Sequence, residues 1–185
     1  MDTELILDLA TNAAQAGGKV LMKHLSEGVQ MRDKSSEGGK TYDLVSDADL
    51  ESEKVIAAAI RKTFPDHELM GEEDLDGDVG AEHLWVIDPL DGTNNFAHQI
   101  PHFAVSIAYY HRGQPVVAAI LNPASQELFT AVKDQGAFRN GVPARVSHSS
   151  SLAETLIGCG FYYDRGEMMR RTLAVIEELF GHDIH

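Results

Sequence analysis

The stretch Trp85-Val86-Ile87-Asp88-Pro89-Leu90-Asp91-Gly92-Thr93 decides how this chain is read. A short apolar strand runs into two carboxylates and a hydroxyl, with a glycine that permits close backbone approach. Pro89 fixes φ and has no N–H, so the spacing predicts a sharp turn there rather than a continued strand. Such a turn brings Asp88, Asp91 and the Leu90 carbonyl to one side. Two carboxylates about 4 Å apart repel by about 4 kcal/mol at an effective dielectric of 20. A divalent cation removes that cost, and Mg²⁺ takes oxygen ligands of this kind together with substrate phosphate. Gly92 and Thr93 open a short helix, Thr93 to Phe96, whose first N–H groups favour an anion. Upstream, Gly71-Glu72-Glu73 is a second acidic turn able to face the first. The plainer alternative is a surface turn, since Asp, Pro and Gly are turn residues. The apolar run entering it and Phe96 following it favour a built site, and the chemistry indicated is metal-assisted hydrolysis of a phosphate ester.

Competing patterns fail on spacing. Haloacid-dehalogenase-type phosphohydrolases also place an apolar strand before two aspartates and Gly-Thr, but their aspartates are two apart and these are three apart. Asp74, Asp76 and Asp78 resemble the opening of a calcium loop. Its sixth position, however, is Val79 rather than Gly, and its twelfth is Trp85 rather than Glu, so that stretch reads as a solvated acidic loop. Nine histidines invite a zinc reading, yet none has helical H-x-x-x-H spacing with a nearby Glu, and an all-oxygen set suits Mg²⁺ better. His98 and His102 read as loop residues.

Composition agrees with a metal-dependent site. The chain has 185 residues, 43% hydrophobic and 24% charged, enough for one substantial core. Its net charge of −14 repels a nucleic-acid backbone, so no nucleic-acid partner is expected. A phosphorylated small substrate meets the same repulsion unless cations reverse the local potential. Cys159 is the only cysteine, which excludes an intrachain disulfide and suits a cytoplasmic setting. Leu156, Ile157 and Phe161 around it predict a buried structural thiol. No apolar run approaches a membrane span, and Asp2 and Glu4 replace the basic start of a secretion signal, so no membrane partner is expected.

Residues 3 to 27 predict one amphipathic helix, with Leu5, Leu9, Ala13, Ala16, Val20 and Leu21 at helical spacing and Gly28 as its stop. Val29 to Val45 is polar, with Glu37-Gly38-Gly39 as a turn, and suits a loose hairpin or mobile loop. A second helix is expected from about Asp47 to Phe64, and Leu69-Met70 as a short strand. Strands follow at Leu84–Ile87, Phe103–Tyr110, Val116–Leu121, Glu127–Val132 and Thr155–Gly158. Arg112-Gly113-Gln114 and Asn140-Gly141 are hairpin signals. Arg165 to Phe180 predicts a last helix, with Met169, Leu173, Ile176 and Phe180 on one face. This order argues for an α+β layered architecture.

Trp85 to His98 (W-V-I-D-P-L-D-G-T-N-N-F-A-H) resembles the signature of the inositol monophosphatase family at each defining position. The resemblance extends to Gly71-Glu72-Glu73, to Asp47-Ala48-Asp49 and to Phe103–Asn122. It implies a layered αβαβα sandwich and a Mg²⁺-dependent, lithium-sensitive phosphomonoesterase, usually homodimeric, acting on a small phosphorylated substrate such as inositol monophosphate. It further implies Glu72, Asp88, Asp91 and the Leu90 carbonyl as metal ligands. Thr93 would position the attacking water, with Asp49 accepting from its hydroxyl. Gly92, Thr93 and Asp91 would bind the substrate, and no phosphoenzyme would form. Ser46 followed by Asp49 is also a capping-box pattern, so Asp49 has a plain helix-capping alternative. Glu73 has the roles of ligand orienter or exposed acid, and Lys34 is a further candidate to approach the metal or phosphate.

The family pattern also contains a C-terminal Trp-Asp pair whose aspartate completes the first metal's shell, and this sequence has no such pair. Residues 1–185 are therefore expected to form a single domain of this type, truncated at the C-terminus, with part of the second αβ half missing. An exposed sheet edge and an apolar patch around Thr155–Gly160 are expected with it. Three functional readings follow: the phosphatase itself, an inactive remnant serving as an interaction or regulatory module, or the same chemistry on a nucleotide 3′-phosphate or fructose bisphosphate.

Overall fold

The structure is a computed structural model and describes residues 2–28, 31–33, 44–160 and 166–181, with 31–33 and 44–46 as backbone alone. Lys34, the Glu37-Gly38-Gly39 turn and Phe161 lie outside the described residues. The chain divides into two compact units, Met1–Ala144 and Arg145–His185.

The first unit contains α1 (Thr3–Glu27), β1 (Met31–Asp33), β2 (Leu44–Ser46), α2 (Asp47–Thr63), β3 (Glu68–Met70), β4 (His83–Asp91), α3 (Thr93–Ala97), β5 (Ala104–His111), β6 (Gln114–Asn122), β7 (Glu127–Val132), β8 (Gly136–Arg139) and β9 (Val142–Pro143). β1 and β2 pair as an antiparallel hairpin. The other strands form a seven-stranded sheet in the order β3-β4-β5-β6-β7-β8-β9. Only β3 and β4 are parallel; the rest is an antiparallel meander. The mixed α+β fold inferred from the sequence is the fold observed.

Alternation along the strands decides which face is covered. Val105, Ile107 and Tyr109 of β5 and Val117, Ala119 and Leu121 of β6 are buried, and they share one core with Trp85, Ile87 and Leu90 of β4 and with α1 and α2. On the other face, Ile120 and Phe129, directly paired across β6 and β7, are each 42% exposed. Tight turns fall where the sequence placed them. Arg112-Gly113 and Asn140-Gly141 both have positive φ at their two residues, the geometry of the two-residue hairpin.

α1 has the predicted bounds, but its buried stripe is rotated from the predicted one. Ile6, Ala10, Ala13, Ala14, Gly17, Gly18 and Leu21 face the core, whereas Leu5 is exposed. Close approach, more than side-chain bulk, sets the stripe. A Cβ on Gly17 would lie 2.7 Å from Ser52 Oγ and 2.8 Å from Ile56 Cδ1, and one on Gly18 would lie 2.9 Å from Leu121 Cδ2. The helix start is capped by Asp2, whose Oδ1 accepts from the Glu4 and Leu5 N–H groups at 3.1 Å.

In the second unit a 3₁₀ turn at Leu152–Glu154 is followed by α4 (Glu167–Phe180). Thr155–Gly158 forms no strand, which corrects the expectation. No described strand pairs with it, and an isolated extended segment leaves its backbone groups to water. Cys159 is exposed, not buried, and its described apolar neighbours are exposed with it, Leu156 at 85% and Ile157 at 39%. α4 buries no residue, and Leu173 and Phe180 on its apolar face stand exposed.

Among the described residues no helix is long and apolar enough to cross a membrane. If the glycine contact sets the distance between α1 and α2, Gly17→Val should destabilise the chain by about 2 kcal/mol through overpacking, seen as a lower urea midpoint at unchanged slope. An unchanged midpoint would show that the helices do not need that contact.

Candidate metal and phosphate site

Proline does not end β4. The strand runs on to Asp91, and the ladder with β5 shifts between Asp88 and Asp91: Asp88 pairs with Ser106, and Asp91 with Ala104. Three steps on one strand thus oppose two on the other, a β-bulge. The predicted turn at Pro89 is corrected accordingly. A bulge tolerates the missing N–H, and Pro89 packs fully buried with its carbonyl accepting from Ser52 Oγ at 3.1 Å. The bulge has a chemical consequence. In a regular strand, residues three apart point to opposite faces; the extra residue brings Asp88 and Asp91 to the same side. The real turn comes at Gly92, whose left-handed φ of 91° sends the chain into α3, and a Cβ there would lie 3.0 Å from the His102 carbonyl oxygen.

Three of the four proposed metal-ligating residues meet through their charges. Asp88 is half-buried, and its carboxyl is pushed up to about 7, first by burial, then by the charges of Glu72 and Asp91, with a side-chain hydrogen bond to Glu72 adding to the shift. The Leu90 N–H donating to Asp88 Oδ1 at 3.1 Å offsets part of this. Glu72 and Asp91 are exposed, so the cluster is open to solvent on one side. The fourth, the Leu90 carbonyl, accepts from the Thr93 hydroxyl at 3.1 Å, which ties the start of α3 to the bulge. A set of acidic oxygens held close enough to raise one of its own members fits a hard divalent cation.

α2 supplies the support. Asp49, Ser52 and Glu53 are the buried polar residues of the described core, at 2%, 0% and 2% exposure, and they recur at helical spacing on one face of α2. Ser52 holds the bulge. Glu53 holds the other acidic turn: its Oε1 accepts from Asp74 N–H at 2.7 Å and its Oε2 from Glu73 N–H at 3.1 Å. Gly71 is required beneath it, since a Cβ there would lie 2.0 Å from Glu53 Oε2. Glu53 was missed in the sequence. The only available signal was a carboxylate on the apolar face of an amphipathic helix, four residues after Asp49. Asp49 lies one turn before Ser52 on the same buried face, while the Thr93 hydroxyl proton is directed at Leu90. Glu73 contributes its backbone to the Glu53 bond, and His102 serves the loop by accepting from Asn95 Nδ2 at 2.7 Å.

The model of the inositol monophosphatase family matches residues 2–183. A Nus factor SuhB from Pseudomonas aeruginosa is 43% identical over 159 residues, covering 84% of this chain and 58% of its own length. An inositol-1-monophosphatase from Rhizobium meliloti is 40% identical, covering 86% of this chain and 59% of its own. The crystal structure of the extragenic suppressor protein suhB from Bartonella henselae superposes with a TM-score of 0.85 at 33% identity, over 96% of this chain and 67% of that one. The chain thus spans somewhat under two thirds of the length of these curated relatives.

Two expectations follow from the geometry. Because Asp88 titrates higher in the folded chain than its ordinary 3.8, the cation-free protein should lose stability as pH rises from about 4 through 7. Millimolar Mg²⁺ should restore it above pH 7, and Asp88→Asn should flatten both responses in thermal melts. Glu53→Ala strands two backbone N–H groups and should cost about 2 to 3 kcal/mol, with faster proteolytic cleavage near Glu72. Wild-type cleavage rates in that variant would exclude the supporting role.

Proposed function

The chain belongs to the inositol monophosphatase family, and on that premise we propose that it carries the site of a Mg²⁺-dependent phosphomonoesterase acting on a small phosphate ester, with inositol monophosphate as substrate. The observation that carries the reading is the convergence of Glu72, Asp88 and Asp91, drawn from two separate backbone segments, beside the Gly92-Thr93 start of α3.

Glu72, Asp88, Asp91 and the Leu90 carbonyl would hold Mg²⁺, which when bound acidifies water and neutralises charge on phosphoryl oxygens. The chain's own residues supply the rest. Thr93, already bonded to Leu90, orients the attacking water through its hydroxyl. Asp49 is the acceptor we assign to the Thr93 proton. The Gly92 and Thr93 N–H groups, with Asp91, bind the phosphate. Water is the nucleophile and no phosphoenzyme is formed. Residues 1–185 act in this reading as part of one domain of the family. A homodimer, lithium sensitivity and a cytoplasmic setting belong to the same proposal.

A second reading, an interaction or regulatory module without turnover, is favoured by the Nus factor name of the Pseudomonas relative. Assay of the folded 185-residue chain with inositol 1-phosphate and Mg²⁺ separates the two. Turnover that falls about 10²-fold or more in both Thr93→Ala and Asp91→Asn supports the phosphatase. A folded chain that binds Mg²⁺ without hydrolysing the ester supports the module. Turnover of a nucleotide 3′-phosphate or fructose bisphosphate alone keeps the chemistry and changes the substrate.

A further inference from the structure

β4 carries ligand chemistry at its other end as well. Its first residue, His83, faces His111 at the end of β5, and the two are paired across the ladder. Their Nδ1 atoms are 3.4 Å apart. Glu82 precedes His83, and one ligand atom from each of Glu82, His83 and His111 lies within 4.8 Å of the others. These three atoms are close enough to share one ion. It lies five residues before Asp88, about 17 Å along the strand, and is therefore separate from the acidic site.

We propose that Glu82, His83 and His111 form a second cation site, selective for a borderline transition ion such as Zn²⁺ over Mg²⁺. Two observations carry it. Zn–N bonds of 2.0 to 2.1 Å make the edge of a tetrahedral shell about 3.3 to 3.4 Å, and that edge matches the spacing of the two imidazole nitrogens. Two imidazoles and one carboxylate form a donor set that Zn²⁺ accepts and Mg²⁺, which demands oxygen, does not.

The surroundings orient the ligands. Arg112 binds Glu82 Oε1 through both Nε (3.1 Å) and a terminal nitrogen (2.7 Å), which offers Oε2 to the cation. The Arg112 N–H also donates to the Glu82 carbonyl at 2.8 Å. His67 stacks on His83 with ring centroids 4.4 Å apart, and Phe64 stacks on His67 in turn at the same separation. The Tyr109 hydroxyl lies 2.6 Å from His83 Nδ1 and competes with the cation, as does the Arg112 charge. An affinity on the order of micromolar is therefore expected, below that of closed structural zinc sites.

Trp85, the only tryptophan, reports on the site. Its Nε1–H donates to His67 Nδ1 at 3.1 Å and its ring lies 5.0 Å from Tyr109. Zn²⁺ alone is the probe in equilibrium dialysis of the full chain with millimolar Mg²⁺ present, and Ni²⁺ is the probe in quenching of Trp85 emission. The expected result is one Zn²⁺ per chain. His111→Ala should weaken it about tenfold or more and Glu82→Gln several-fold, with parallel shifts in the Ni²⁺ quenching midpoint. Asp88→Asn should leave both unchanged. His111→Ala and Glu82→Gln alter partly or fully exposed positions, so folding is not at stake. No uptake, uptake displaced by Mg²⁺, or uptake indifferent to His111→Ala would overturn the proposal.

Discussion

Like charges held together against their own repulsion are the constraint that organises the first unit. Burial first, and then the charges of Glu72 and Asp91, push the Asp88 carboxyl up to about 7, so something must hold the three in place. The β4 bulge fixes two of them, and it is anchored from below by Trp85, Ile87 and Leu90 in the core and by the Ser52–Pro89 bond. Glu53 fixes the third by accepting from the backbone of the turn that carries it. Both anchors sit on α2. That helix reaches its position only because Gly17 lets α1 pack against Ser52 and Ile56 without a side chain between them. Repulsion at the surface is thus offset by burial two layers below.

How much of this was legible depends on whether the signal is local. Turns, strands of the meander and helix bounds depend on neighbouring residues, and Asn140-Gly141 or Asp47–Thr63 could be read directly. The acidic site was legible because its two segments each carry a compact motif. Pro89 misled because its rule forbids a regular ladder, whereas the chain uses an irregular one that needs no N–H there. The α1 stripe misled because bulky residues were weighted over glycines, and close approach was the deciding term. Thr155–Gly158 has strand-like residues, but a strand requires a partner, which no local pattern supplies. Glu53 and the Glu82–His83–His111 group depend on contacts across 20 to 28 residues of sequence, where periodicity carries no information.

The second unit shows the same dependence from the opposite side. α4 has the predicted apolar face, yet Leu173 and Phe180 stand in water. Helical propensity and an Arg171–Glu167 pair at i, i+4 spacing set its backbone, worth only a few tenths of a kcal/mol for the pair. Burial, which supplies most of a helix's stability in proteins, is absent from its described surface. Cys159 follows the same logic, since an apolar neighbourhood in sequence becomes a buried one only when a second layer covers it.

The two ends of β4 are chemically distinct, and the strand itself explains how both can coexist. Asp88 and Asp91 present oxygen alone; His83, with His111, presents nitrogen beside one carboxylate. Hard Mg²⁺ keeps much of its water and gains little from imidazole, while Zn²⁺ binds nitrogen well and is drawn away from an all-oxygen cluster by a competing nitrogen site. A strand of nine residues holds the two sets of ligands apart, so a cation at one would neither screen nor crowd a cation at the other. Trp85 sits between them, fully buried, with its indole bonded toward the histidine end and its backbone leading to the aspartates. On the two proposals, separation along one well-packed strand would sort cations by donor chemistry.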